Sequence, residues 1–325
     1  MSRQGLEQTT PLTKKERVLK TLAGKEVDRR PFSLWYSFGL DHMKGESLAA
    51  AALTFAATYS VDLLRIPAVR DLPIPEQTSL DRPHDLTQLE VLSGQEGFWL
   101  QRTEAFKEAQ RLSENRVAIF ESLPGPLTAL SYLCQPEMLE QAEKSHPSFL
   151  EKALEVITES LKNYLKHLLS PGLIDGLVLE IESATYMKRE PEVFESLVKP
   201  HLKDLLNFVT SESEIPIWLH ARGSRLYIKP LLDLPHQMIS WPHLSQGPSL
   251  EKGLPRGYRG IVAGGLDEVA LEGMSYQDIR RHVEEARNMH VKMFAVGDNL
   301  KADFSPRRLN ALSSFLTKRD RLPES

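Results

Sequence analysis

Cysteine is almost missing: Cys134 is the one thiol in 325 residues. An internal disulfide is therefore excluded, and so is any zinc site built on paired cysteines. The usage fits a reducing compartment. A basic excess is missing too. Lysine and arginine number 40 against 44 aspartates and glutamates, a net charge of −4, so nothing points to a nucleic-acid partner. Long apolar runs are lacking. The most apolar stretch, 47–64, is interrupted by Thr54, Thr58, Ser60 and Asp62, whereas a bilayer span takes roughly 20 predominantly apolar residues. It reads as a buried helix running into a strand. Residues 1–12 are polar and unlike a signal peptide; they read as a disordered tail ahead of a single domain at 13–320. These absences predict a soluble, cytoplasmic protein with no membrane partner. Several catalytic signatures are also absent: the dinucleotide Gly-x-Gly-x-x-Gly, the phosphate-loop Gly-Lys-Ser/Thr, His-Glu-x-x-His and Gly-x-Ser-x-Gly.

What is present is a rhythm. Eight short apolar runs lie at 31–36, 61–67, 116–121, 174–182, 216–220, 237–241, 260–263 and 291–296. Several are apolar on both faces, as strands of a helix-covered parallel sheet are. Between them lie helical patterns at 13–23, 47–59, 126–133, 136–145, 147–169, 191–211, 225–234, 275–289 and 305–317. The first opens on Thr13, carries Glu16 three residues later and stops at Gly24, a capping box with a glycine stop. Proline near the start of several others suits a first helical turn. Eight strands alternating with helices predict a single (β/α)8 TIM barrel with an N-terminal helix. Residues 89–106, with glycines at 94 and 97 between β-prone runs, predict a β-hairpin insertion after strand 2.

Active sites of such barrels gather at the C-terminal strand ends. Polar residues stand at nearly all of them: Ser37, Asp41 and His42; Arg65, Arg70 and Asp71; Glu121 and Ser122; Glu180, Glu182 and Ser183; His220 and Arg222; His243; Asp267; Asp298 and Asn299. Each admits a structural reading as well. Glu180 and Glu182 share one strand face and either serve chemistry in the mouth or form salt bridges with Arg222 and Arg65. His220 is a ligand or a satisfied buried histidine. Asp267 is a turn residue or a functional one, and Asp298 is functional or a helix cap. Arg65, Arg70, Arg222 and Arg225 either bind a polycarboxylate bidentately or line an exposed rim.

Several segments resemble the uroporphyrinogen decarboxylase superfamily, which also holds corrinoid- and coenzyme M-linked methyltransferases. They are the opening Thr13-Lys-Lys-Glu-Arg17 through Asp28-Arg-Arg-Pro31, Ser122-Leu-Pro-Gly-Pro-Leu-Thr128 through Tyr132, Leu179-Glu-Ile-Glu-Ser183, and Val296-Gly-Asp-Asn-Leu300 with Ser305-Pro-Arg-Arg-Leu309. The resemblance implies the same barrel. It implies cofactor-free decarboxylation of a tetrapyrrole or similar polycarboxylate in porphyrin metabolism, with Asp71 stabilising positive charge and Tyr132 and Ser183 orienting the substrate. The family's arginine pair after the first strand has no counterpart here. Arg65, Arg70 and Arg222 would replace it, with Glu182, His220 and Asp298 as further substrate contacts. Asp298 stands in place of the family histidine after the eighth strand. The methyltransferase branch implies a zinc or corrinoid cofactor, a corrinoid protein partner and a His-x-Cys metal motif. Here the motif reads His220-Ala-Arg222, leaving His220, Asp298 and either Glu180 or His243 as metal ligands. Loss of the arginine pair and the histidine would also suit a non-catalytic tetrapyrrole carrier. Family barrels often pair at their mouths, which implies a homodimer.

Overall fold

The computed structural model describes residues 11–36, 45–66, 72–73 and 80–318. Asp71, Arg70, Ser37, Asp41, His42 and residues 1–10 of the expected tail lie outside them.

Eight strands form one parallel sheet: β1 (Phe32–Ser33), β2 (Leu63–Arg65), β3 (Ala118–Pro124), β4 (Gly176–Ile181), β5 (Ile217–Ala221), β6 (Met238–Ser240), β7 (Ile261–Leu266) and β8 (Met293–Val296). Neighbours run β1-β8-β7-β6-β5-β4-β3-β2. The sheet curls into a nearly closed (β/α)8 barrel. Between its two ends the Asp62 amide donates to the Phe32 carbonyl at 3.0 Å, and the Ser33 hydroxyl donates to the Leu63 carbonyl at 2.9 Å. All eight expected runs overlap a strand, and β3, β5 and β7 run past the expected ends. Their inner faces carry alternating residues, as the pleat requires.

The helices are α1 (Lys14–Leu22), α2 (Gly45–Thr58), α3 (Gly97–Ser113), α4 (Pro126–Ser131), α5 (Pro136–Ser145), α6 (Pro147–Leu169), α7 (Pro191–Val193), α8 (Lys199–Glu212), α9 (Leu250–Gly253), α10 (Glu268–Leu271), α11 (Tyr276–Arg287) and α12 (Pro306–Leu316). The capping box at Thr13 forms as read, and α5 and α6 begin on Pro136 and Pro147. None of the described helices is long and apolar enough to cross a membrane.

Three expectations are corrected. The hairpin at 89–106 is absent: after a 3-10 turn at Pro83–Gln88, the chain enters α3. Trp99, Arg102, Thr103, Phe106 and Ala109 are buried at helical spacing, a period that the two glycines obscured. Those glycines mark the approach to the helix. Gly94 has φ +88°, and a Cβ there would meet the α6 backbone at Tyr164 N, 2.5 Å away. The helix expected at 225–234 shrinks to a 3-10 turn at Lys229–Leu231. Arg225 is left-handed at φ +51°, and Pro230 lacks the N–H a helix needs. The helix expected at 191–211 is split by a π-turn at Phe194–Val198. Pro200, just beyond it, has no N–H to bond the carbonyl four residues back, and its ring crowds that carbonyl.

Two buried charge clusters brace the barrel away from its mouth. At the N-terminal end, Asp62 accepts from Arg17 at 2.6 Å, Arg29 at 2.6 and 3.0 Å, and the Phe32 amide at 3.0 Å. Arg17 also grips Asp28. The family-like opening segment is therefore the barrel's bottom clasp. On the outer face, Glu121 takes Arg102 of α3 and, at 2.7 Å, the Tyr164 hydroxyl of α6. It was a strand-end candidate, but its neighbour Ser122 points inward and Glu121 therefore faces the helices. Removing one member of a buried pair costs about 3–5 kcal/mol because the other charge is left uncompensated. Asp62→Ala is accordingly expected to lower unfolding free energy by about that much in urea denaturation; near-wild-type stability would contradict the clasp.

Candidate active site at the barrel mouth

Pleat alternation along β4 sends Glu180 inward, and Glu182 follows on the same side just past the strand. Glu180 sits at the centre of an ion network. Its Oε1 accepts from Arg65 Nη1 at 2.5 Å and from the Ser122 hydroxyl at 2.6 Å. Its Oε2 accepts from Arg222 Nη1 at 2.9 Å. Arg222 reaches Glu182 at 3.3 Å and Asp298 at 2.8 Å as well. The Asn299 amide donates to Asp298 Oδ1 at 2.6 Å, and Arg65 Nη2 donates to the Asn299 side chain. The Tyr132 hydroxyl donates to Glu182 at 2.7 Å. Residues from the ends of β2, β3, β4, β5 and β8 thus converge, with Tyr132 from the turn after α4.

The floor under this network is aromatic. The Arg65 guanidinium lies over the Trp35 ring at 4.2 Å, a cation–π contact. His220 meets Trp35 edge-on at 4.2 Å and 82°, and Trp218 packs beside it at 4.9 Å. The Ser240 hydroxyl oxygen accepts from Trp218 Nε1 at 2.7 Å and bonds His220 Nδ1 at 2.7 Å. His220 Nε2, Trp35 Nε1 and Arg65 Nε are buried with no hydrogen-bond partner among the described residues.

These surroundings fix protonation. Burial alone would raise the Glu180 pKa, but Arg65, Arg222 and Ser122 outweigh it and hold the carboxyl at about 2. Glu180 is therefore ionised throughout the neutral range and is no proton donor. Burial pushes His220 well below the ordinary histidine value, against the pull of Glu180, so the ring is neutral. Burial also raises the Tyr132 hydroxyl, and Glu182 raises it further. That phenol keeps its proton.

The structure sorts the candidates. Arg65, Glu182, Arg222, Asp298 and Tyr132 come together in one network. Arg65, its side chain only 3% exposed, is spent on Glu180 and Asn299, so it shapes the site from beneath. His220 is wholly buried below it. Ser183 stands apart: its carbonyl accepts from Arg189 at 3.2 Å and Tyr227 at 3.3 Å, and among the described residues no hydrogen bond ties its hydroxyl to the network. Arg225, a member of the expected arginine set, contacts Met187 on the rim. His243 is spent at Nε2 on the Gly265 amide, 3.0 Å away. Asp267 caps α10. Sequence reasoning passed over Lys188, whose Nζ is 3.9 Å from Glu182; a lone loop lysine carries no pattern.

The donor set does not fit a zinc ion. Among the described residues, no group of three or more His, Cys, Asp or Glu side chains could hold a metal. The carboxylates that might do so are gripped by Arg65 and Arg222, whose charge repels a cation in the same space.

Because the Glu180 pKa is lower folded than unfolded, its stabilisation is full above the ordinary value of 4.5 and is lost as pH falls toward about 2. The gain is on the order of 3 kcal/mol. Denaturation of the wild type and Glu180→Gln from pH 6 to pH 3 should show the stability gap narrowing as the solution becomes more acid. A gap constant across that range would contradict the ionised carboxylate.

The family described as uroporphyrinogen decarboxylase matches residues 64–318. No curated protein matches the sequence. Among solved structures, a methyltransferase from Methanosarcina mazei superposes with TM-score 0.73 at 19% identity, over 94% of this chain and 98% of that one. At that identity the likeness establishes the fold. A protein from Listeria monocytogenes assigned as a vitamin-B12 independent methionine synthase reaches TM-score 0.43 at 13% identity, over 66% of this chain and 67% of its own, too distant to carry an argument. The family match covers most of the chain: it belongs to the uroporphyrinogen decarboxylase family.

Proposed function

We propose that this chain is a cofactor-free carboxy-lyase whose substrate carries both carboxylates and N–H groups, as a tetrapyrrole does. The observation that carries this reading is Arg222. At the position where the methyltransferase branch places a metal-binding cysteine, this chain holds a guanidinium among Glu180, Glu182 and Asp298. The positive charge at the mouth is organic, and a guanidinium recognises carboxylates.

The roles follow from exposure and protonation. Arg222 orients a substrate carboxylate, exchanging its half-buried partner Asp298 for the ligand. Glu182 and Asp298, as acceptors, take substrate N–H groups. Tyr132 holds its proton and fixes the Glu182 carboxylate through Oε1. Asp71, by the family resemblance, stabilises the cationic ring. Decarboxylation breaks one C–C bond, releases carbon dioxide and places one proton on carbon. Glu180, being ionised, supplies the field that keeps both arginines in register.

A second reading has its own support. Tyr186, Met187 and Leu244 expose apolar surface on the loops after β4 and β6, which suits docking of a corrinoid-carrying protein over the mouth for methyl transfer. The methyltransferase name of the Methanosarcina mazei structure agrees with it.

Anaerobic incubation with uroporphyrinogen, followed by chromatography of the oxidised products, separates these. Stepwise loss of carboxylates is expected, slowed about 10- to 100-fold by Arg222→Lys, which keeps the charge but loses the bidentate fork. Absence of turnover would overturn the lyase. Methyl transfer from methylcobalamin to a thiol would establish the second reading, and binding without turnover would establish a carrier.

A further inference from the structure

Glu182 divides its two oxygens unequally. Oε1 takes Tyr132 at 2.7 Å and Arg222 at 3.3 Å. Among the described residues Oε2 faces only the Lys188 ammonium, at 3.9 Å, a charge contact well beyond the roughly 2.7–3.2 Å of a hydrogen bond. Lys188 is half-exposed on the rim and makes no side-chain hydrogen bond among the described residues. Yet the burial of its surroundings lowers its pKa, with Glu182 opposing. An ammonium that has lost part of its water and gained no hydrogen-bonded partner is poised for an anion.

The backbone beneath it is held. The Lys188 amide donates to the Thr185 carbonyl at 3.0 Å and the Tyr186 amide to the Arg225 carbonyl at 3.2 Å. The Thr185 hydroxyl accepts from the Met187 amide at 3.1 Å. Arg189, next in sequence, binds Glu143 at 3.0 Å. Lys188 therefore projects from a pinned turn, which limits the ordering cost of binding. Arg225, also on the rim, contacts Met187 and not the network. Of the three described cations in contact with Glu180, Glu182 or Asp298, Arg65 is buried and Arg222 is shared among three carboxylates. Lys188 is the least compensated.

We propose that Lys188 binds a carboxylate of the substrate and forms with Arg222 a two-cation clamp across Glu182, in place of the family's missing arginine pair. This rests on the reading of the mouth as a site for a carboxylated substrate. The clamp selects for ligands with two carboxylates spaced to reach both cations. Lys188 contributes to binding and leaves the bond-breaking step to the groups below it.

Binding of coproporphyrin, a tetracarboxylate, is compared with that of its uncharged tetramethyl ester, by fluorescence titration of the full chain. The wild type is expected to bind the acid and reject the ester. Lys188→Met should weaken the acid about tenfold, the size of one charge-assisted contact. Lys188→Arg should restore it, with melting temperatures unchanged in both. In turnover, Lys188→Met should raise KM and leave kcat within about twofold. If the wild type distinguishes acid from ester but Lys188→Met binds the acid as tightly, the clamp is overturned and the carboxylated-substrate reading survives. If the wild type treats acid and ester alike, both fall.

Discussion

A carboxylate buried inside a barrel must be compensated by donors from other strands, and Glu180 takes its donors from three of them. Arg65 comes from β2, Ser122 from β3 and Arg222 from the end of β5. Each donor is then tied onward. Arg65 reaches Asn299 and lies on Trp35; Arg222 reaches Glu182 and Asp298. An isolated buried ion costs several kcal/mol. Satisfying this one therefore fixes where the loops after β4, β5 and β8 begin, and that sets the shape of the mouth. The arrangement is neutral in sum, with Arg65, Arg222 and Lys188 against Glu180, Glu182 and Asp298. Such a network recognises a ligand by exchanging partners with it, since its described members hold no large excess of either charge.

The two ends of the barrel use charge differently. At the bottom, Asp62 is enclosed by Arg17 and Arg29 and has no exposed ion-pair partner among the described residues. At the mouth, compensation is graded: Glu180 and Arg65 are enclosed, Glu182 and Asp298 reach solvent, and Lys188 stands on the rim. A fully satisfied cluster serves stability. A cluster whose outer members are only partly satisfied has capacity left for a ligand. Conservation of one fold with different mouth chemistry is what a barrel with loop-borne function permits.

Much of this was legible in the sequence. The eight runs gave eight strands because a two-sided buried strand leaves an unmistakable apolar signature. The pairing of Glu180 with Arg65 and Arg222 was one of the two readings open for those residues, and the period-two spacing of 180 and 182 was its visible trace. The hairpin at 89–106 misled because Gly94 and Gly97 resemble turn residues, while the helical burial of Trp99, Arg102 and Phe106 includes an arginine whose partner, Glu121, lies on β3. The helices at 191–211 and 225–234 were drawn too long because Pro200 and Pro230, which lack the N–H of an interior helical position, do not interrupt the apolar pattern around them. His220 could not be placed from its position alone, since a strand end reads the same whether the ring faces the mouth or the floor. Lys188 carried no signal, because its meaning comes from Glu182.

The shape of the mouth depends on Glu180. A double-mutant cycle with Glu180→Gln, Arg222→Met and the pair, read by equilibrium denaturation at pH 7, tests that dependence directly. Each single change should cost several kcal/mol, and the double change should cost less than their sum by about 1–3 kcal/mol, because the second removal relieves a charge that the first left stranded. Costs that add to within about 0.5 kcal/mol would mean that the two groups do not depend on each other, and the network would not be what organises this barrel's mouth.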